Sequence, residues 1–166
     1  MSTFFNIFLF YGYTKNKNME VNMENQDTIH LLKECDAGTK MAISSIDDIL
    51  EKVKDEKLKN ILSKSKEEHT KIEDEIKVLL NEYDSDEKEP NAMAKGMSWL
   101  KTNFKMSMDE SDATVADLIT DGCNMGVKSL NEYFNKYEAA NSKVKDICTQ
   151  LIKLEEQLCK DIKGYL

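Results

Sequence analysis

Of the two histidines in this chain, His69 has the company that chemistry needs. Glu68 precedes it and Glu73 follows about one turn later, so carboxylates flank an imidazole on a single helical segment. Three readings of His69 follow. Hydrogen-bonded to Asp36 or Thr39, it forms a polar layer that fixes which helices pair and in what register, because a buried polar group demands a partner. Joined instead by Asp36, Glu68 and Glu155, it makes an unsymmetrical oxygen and imidazole site suited to iron, manganese or another hard divalent ion. Turned outward by a small rotation of its helix, it simply meets solvent. The first is the expected reading, with no cofactor, and the metal site is the alternative.

The remaining reactive residues offer less. His30 has one acidic companion at helical spacing, Glu34, and reads as a solvated pair. The pairs Asp47-Asp48 and Asn131-Glu132 diverge by about 100° around a helix axis, so they cannot face one substrate as acid and base. They are expected on helix flanks, in contact with lysines of the neighbouring helix. Cys35, Cys123, Cys148 and Cys159 lie far apart, without a C-x-x-C pair or finger-like spacing to the histidines. Each is expected to act as a small core hydrophobe in a reduced cytoplasm. No phosphate-cradling loop, nucleophile elbow, triad or zinc spacing is visible, so enzyme chemistry has no foothold.

Helices must position whatever site exists. Asp27 is a good N-cap for a first helix whose apolar residues Ile29, Leu32, Ile43, Ile46, Leu50 and Val53 recur at three-or-four spacing, with Asp36 and Thr39 in the middle of the stripe. A charged turn at 54–56 leads to a second helix with the stripe Leu58, Leu62, Ser65, His69, Ile72, Ile76, Leu79 and Tyr83. A tight turn makes the two antiparallel and brings Thr39 roughly opposite His69. An acidic breaker, 84–90, precedes a shorter helix over 91–108 with Met93, Met97, Leu100 and Phe104 on one face, expected to seal the open side of a bundle. Asp109 or Ser111 caps a third long helix carrying Val115, Leu118, Ile119, Met125, Leu130, Phe134 and Tyr137, with Gly122 and Gly126 admitting a close neighbour. Asn141 or Ser142 caps a fourth, whose seam of Val144, Ile147, Leu151, Leu154, Leu158 and Ile162 ends near Gly164.

The stretch Gly38-Thr39-Lys40-Met41-Ala42-Ile43-Ser44-Ser45-Ile46-Asp47-Asp48 recurs loosely as Gly122-Cys123-Asn124-Met125-Gly126-Val127-Lys128-Ser129-Leu130-Asn131-Glu132. Each copy opens into a second helix, so the chain uses one helical hairpin twice. From Asp27 to Leu166 this layout and the G-x-[KN]-M-[AG]-[IV]-x-S repeat resemble the ferritin-like superfamily, in particular small, uncharacterised bacterial ferritin-like domain proteins. The resemblance implies an all-α, ferritin-like four-helix bundle of two hairpins, joined by a long crossover containing a short helix, over residues 27–166. Ferritin-like metal sites take a glutamate from each of two helices and Glu-x-x-His from each of the others. Here Lys66 stands three residues before His69; the repeat aligns Glu155 with His69, and Ile152 stands three before it. Both halves of the motif are broken, and the implied role is a non-enzymatic structural, interaction or stress-associated module rather than an oxidase.

Composition narrows the partners. The 166 residues carry a net charge of -8, and every basic residue is a lysine. Without guanidinium forks or clustered positive charge, nucleic acid is not an expected partner, and an anionic membrane repels the bulk of the molecule. An unidentified protein partner, a second copy included, is expected. The apolar run Phe4 to Tyr13 is too short to span a bilayer and lacks the flanks of a secretory signal. Residues 1–26 are therefore expected to form a leader outside the fold, disordered or the product of an upstream start codon, given Met19 and Met23; the competing reading is a tail that docks on a partner or a membrane surface.

Overall fold

The computed structural model describes residues 3–87 and 111–166, with side chains at Met19 and from Val21 onward. Four long helices account for nearly all of it: α1 (Thr3–Leu50), α2 (Glu56–Glu82), α3 (Asp112–Lys136) and α4 (Ser142–Ile162), followed by a 3-10 turn, Lys163–Tyr165. The described residues contain no strand. The expected short helix with Met93, Met97, Leu100 and Phe104, and the neighbouring Trp99, lie outside the described residues.

Helices α1 and α2 pack as one antiparallel hairpin and α3 and α4 as another; α2 lies against α4, α1 against α3, and α1 also meets α4 across the diagonal. Two apolar clusters fill the interior. One joins Leu31, Leu32 and Cys35 of α1 to Ile76 and Leu80 of α2, Leu130 of α3, and Val144, Ile147 and Leu151 of α4. The other joins Ile46 and Ile49 to Leu58, Leu62, Val115, Ile119, Leu158 and Ile162. Each fully enclosed leucine or isoleucine contributes about 1.5–3 kcal/mol by leaving water. The membership of the clusters fixes direction: α2 and α3 both run from the second cluster to the first, so they are parallel.

Both ends are closed by side chains borrowed from the opposite hairpin. At the α1–α2 turn, Asp55 caps α2 by accepting from Leu58 N at 2.8 Å, while Asp112 at the start of α3 accepts from Lys54 N and Asp55 N at 2.8 and 2.9 Å. Tyr165 Oη adds a donor to Asp55 at 2.7 Å. At the α3–α4 turn, Asn141 caps α4 by accepting from Val144 N at 3.0 Å, while Asp27 accepts from Ala139 N and Thr28 from Asn141 N, both at 2.9 Å. These bonds satisfy turn and helix-start amides that would otherwise lack partners.

Asp27 therefore does not begin the first helix. The chain from Met19 to Gln26 contains no glycine or proline to stop a helix, and the Asp27 carboxylate is engaged by the other hairpin's turn, so α1 continues upstream to Thr3. Ser111 and Asn141 are the N-caps, each one of the two positions expected there. Asp84, at φ 47°, takes the left-handed conformation that ends α2 and opens the expected breaker. Among the expected core residues Met125 is exposed, and its place is taken by Cys123; Leu31 and Ile49 are buried where Ile29 and Leu50 were expected to lead.

Candidate functional site

Between the two apolar clusters lies a polar waist. Its buried members are Asp36 and Thr39 on α1, Ser65 and His69 on α2, and Glu155 on α4. They interrupt otherwise apolar stripes at one level of the bundle, so folding the hairpins necessarily brings polar groups together where no water competes.

His69 is fully buried, and both of its ring nitrogens are used. Nδ1 lies 2.8 Å from Ser65 O, one turn earlier on the same helix. A carbonyl can only accept, so Nδ1 carries the hydrogen and donates. The Ser65 hydroxyl is a second, longer neighbour at 3.5 Å. Nε2 faces Glu155 Oε1 of α4 at 3.3 Å. With Nδ1 committed as donor, a hydrogen bond at this second contact needs one proton between Nε2 and Oε1, carried either by the imidazole or by the carboxyl. The expected partners of His69, Asp36 and Thr39, are engaged elsewhere. Thr39 Oγ1 donates to Cys35 O at 2.8 Å, within its own helix. Asp36 pairs with Lys40 at 2.9 Å, one turn on, and Lys40 also bridges to Glu87. The waist is thus polar as expected, with different pairings from those the sequence suggested.

The four candidate metal residues divide accordingly. The structure brings His69 and Glu155 together, across α2 and α4. It places Asp36 against Lys40, and Glu68 on the outer face of α2, ion-paired with Lys71 at 2.8 Å. Glu73 likewise pairs with Lys77 at 2.9 Å. Among the described residues no group of three or more His, Cys, Asp or Glu side chains converges as a metal ligand set. A surface hollow of about 430 Å³, lined by Leu50, Ser63, Lys66, Glu67, Thr70 and Lys71, includes none of the four.

Electrostatics follow these pairings. Burial pulls the Lys40 ammonium down, but hydrogen bonds to Glu87 and Asp36 outweigh it and hold Lys40 above the usual lysine range. The same Lys40 bond holds Glu87 below the usual carboxylate range. Lys71 does this for Glu68. Burial and the adjacent Glu155 carboxylate push the Cys123 thiol well above its ordinary value.

Sequence reasoning missed several neighbours of the site. Cys123 contacts Glu155 from α3. A Cβ at Gly126 would meet Glu155 Oε1 at 3.5 Å, an ordinary contact, so Glu155 lies against this stretch of α3, whereas Gly122 has nothing within 4 Å and admits no close neighbour. Cys123 was within reach: the repeat aligns it with Thr39, which faces inward. Asp47 does pair with Lys66 of the neighbouring helix, as expected of a flank residue, but Glu132 finds Lys128 on its own helix. His30 stacks on Tyr137, with ring centroids 5.5 Å apart. No helix is long and apolar enough to cross a membrane, among the described residues.

Comparison of the chain with protein-family models, with curated proteins and with solved structures finds no match.

Proposed function

We propose that the chain is a ferritin-like bundle used without catalysis, a cytoplasmic structural or interaction module that acts through its surface on a protein partner, a second copy of itself included. The observation that carries this reading is the occupancy of His69: one nitrogen serves a helix carbonyl and the other serves Glu155, so the interior offers no imidazole free for a ligand. Ferritin-like proteins build their metal sites in the bundle core; here His69 and Glu155, the polar groups of that core nearest such a set, are spent on internal hydrogen bonds. The parallel run of α2 and α3 favours the ferritin-like layout as well, since joining the end of one to the start of the other calls for a connection as long as the bundle. Support for the interaction role comes from α1, which continues past the α3–α4 turn with Met19 and Met23 each 57% exposed and Val21 50% exposed.

Sedimentation of the full chain tests the surface role. An associated species, returned to monomer by Met19→Lys with Met23→Lys at unchanged helicity, is the expected result for a second copy; co-purification of another protein, abolished by the same pair of changes, is expected for a different partner. Association, or retention of a partner, that ignores both changes removes α1 from the account.

One observation favours the alternative, an iron- or manganese-handling protein: His69 and Glu155 do stand side by side. Elemental analysis of protein purified from its source decides between the two. Stoichiometric iron or manganese that is lost in His69→Ala, with the helices intact, would overturn the structural reading; a lower melting temperature in that variant with no metal in either protein supports it.

A further inference from the structure

The four cysteines form two contacts between helices. Cys35 of α1 and Cys148 of α4 meet inside the first apolar cluster, and both are fully enclosed. Cys123 of α3 and Cys159 of α4 meet where the waist gives way to the second cluster. Cys159 Sγ also reaches Thr120 O at 4.0 Å, one turn before Cys123 on α3, which fixes the thiol on the side of α4 that faces this helix. All four are free thiols, and of them Cys159 alone is partly exposed.

We propose that Cys123 and Cys159 are an oxidant-sensitive pair that closes to a disulfide between α3 and α4 on exposure to hydrogen peroxide, while Cys35 and Cys148 stay reduced. Access decides which pair reacts and which sulfur reacts first. Peroxide reaches Cys159: the sulfur attacks one peroxide oxygen, an S–O bond forms, the O–O bond breaks, and the departing hydroxide takes the thiol proton to leave as water. The Cys123 sulfur then attacks Cys159 sulfur; the S–S bond forms, the S–O bond breaks, and a second water carries away the Cys123 proton. Two thiols are oxidised and one peroxide is reduced to two waters. Burial raises both thiols above their ordinary range, so neither is ionised in advance. The step is therefore slow and stoichiometric, a response to sustained oxidant, and transient disulfides of this kind are the form compatible with a reducing compartment.

The modification reaches the waist. Cys123 lies beside Glu155, the partner of His69, so drawing its sulfur to Cys159 changes what that carboxylate meets.

The full-length protein, treated with hydrogen peroxide, alkylated after denaturation and mapped by mass spectrometry, tests this. Expected are loss of two of the four thiols, a Cys123–Cys159 linked peptide from monomeric protein that thiol reductant reverses, a melting temperature higher by about 5 to 10 °C, and a shifted His69 ring resonance. Cys159→Ser should form no intramolecular disulfide, and if it does not fold, the wild-type peptide map decides alone. A Cys35–Cys148 link, a link between molecules, Cys159 carried to sulfinic acid beside an untouched Cys123, or four intact thiols at a peroxide dose that oxidises a free cysteine would each overturn the proposal.

Discussion

The two hairpins treat the ends of the bundle alike and its middle differently. At one end Asp112 accepts from the backbone of the N-cap Asp55; at the other Thr28 accepts from the backbone of the N-cap Asn141. Thr28 and Asp112 occupy matching positions in the repeat, as do Asp55 and Asn141, so each hairpin closes the other's turn with its own copy of one device. At the waist the matching positions carry different chemistry: Thr39 against Cys123, and His69 against Glu155. That His69 and Glu155 touch is what an approximate two-fold axis between α2 and α4 requires, since equivalent positions beside such an axis face one another. The symmetric parts are those any closed bundle of two hairpins needs. The asymmetric part is a neutral-or-cationic ring set against a carboxyl, a pair that two identical side chains could not make.

Breaking the waist should have the largest effect. His69→Ala removes a fully buried side chain and strips Glu155 of its partner, with an expected loss of about 2–4 kcal/mol by denaturant unfolding. Glu155→Ala should cost less, and a double-mutant cycle between the two should show coupling of about 1 kcal/mol or more. Replacing both by leucine should restore much of the stability while loosening the helix pairing, because a polar pair contributes more to register than to free energy; a dispersed amide spectrum with unchanged packing in that variant would contradict the register role.

The end devices come next, and here symmetry itself is at stake. Asp112→Ala and Thr28→Ala each leave an N-cap amide unpaired, and each should cost about 1–2 kcal/mol. Similar losses would sharpen the equivalence of the ends, whereas a silent Thr28→Ala would break it. Smaller still is Gly122→Ala. This glycine sits within α3 and a Cβ there meets nothing within 4 Å, so the change should stabilise the chain by about 0.5–1 kcal/mol.

The smallest effects are in pH dependence. Tyr165 and the Leu58 amide hold Asp55 below the usual carboxylate range, and Lys40 does the same for Glu87. A depressed carboxylate contributes stability that is present above its unfolded value and is lost as pH falls through the folded one. Thermal unfolding followed from neutral pH downward should therefore lose stability on the acid side of the ordinary carboxylate range, and Asp55→Asn should flatten that limb. Lys40, raised, contributes in the opposite sense, losing its share as pH climbs through its folded value.

The resemblance of the two halves was legible because it is local. Helix stripes, the caps at Ser111 and Asn141, and the repeat around Gly38 and Gly122 all depend on residues within a few turns of one another, and periodicity reports these directly. The inward positions of His69, Asp36 and Thr39 were legible for the same reason, whereas the seam of the fourth helix was read through Leu154, and Glu155 came into view only through its repeat alignment with His69. The failures were also physical. Asp27 has the side chain of an N-cap, and nothing local says that its carboxylate is taken by Ala139 of the other hairpin. Gly122 looked like a contact point because spacing cannot say which face of α3 meets α4.

By itself the sequence determined that this chain is helical, that its helices form two like hairpins, and that a polar band crosses an apolar interior. Those properties are set by side chains on one helix acting on their neighbours in sequence. Only the tertiary structure decided that His69 meets Glu155 and not Asp36, that Asp36 turns to Lys40, and that the cysteines meet in pairs. Each of these choices depends on the rotation and offset of one helix against another, and a shift of a single residue along a helix moves a side chain by about 100° around it.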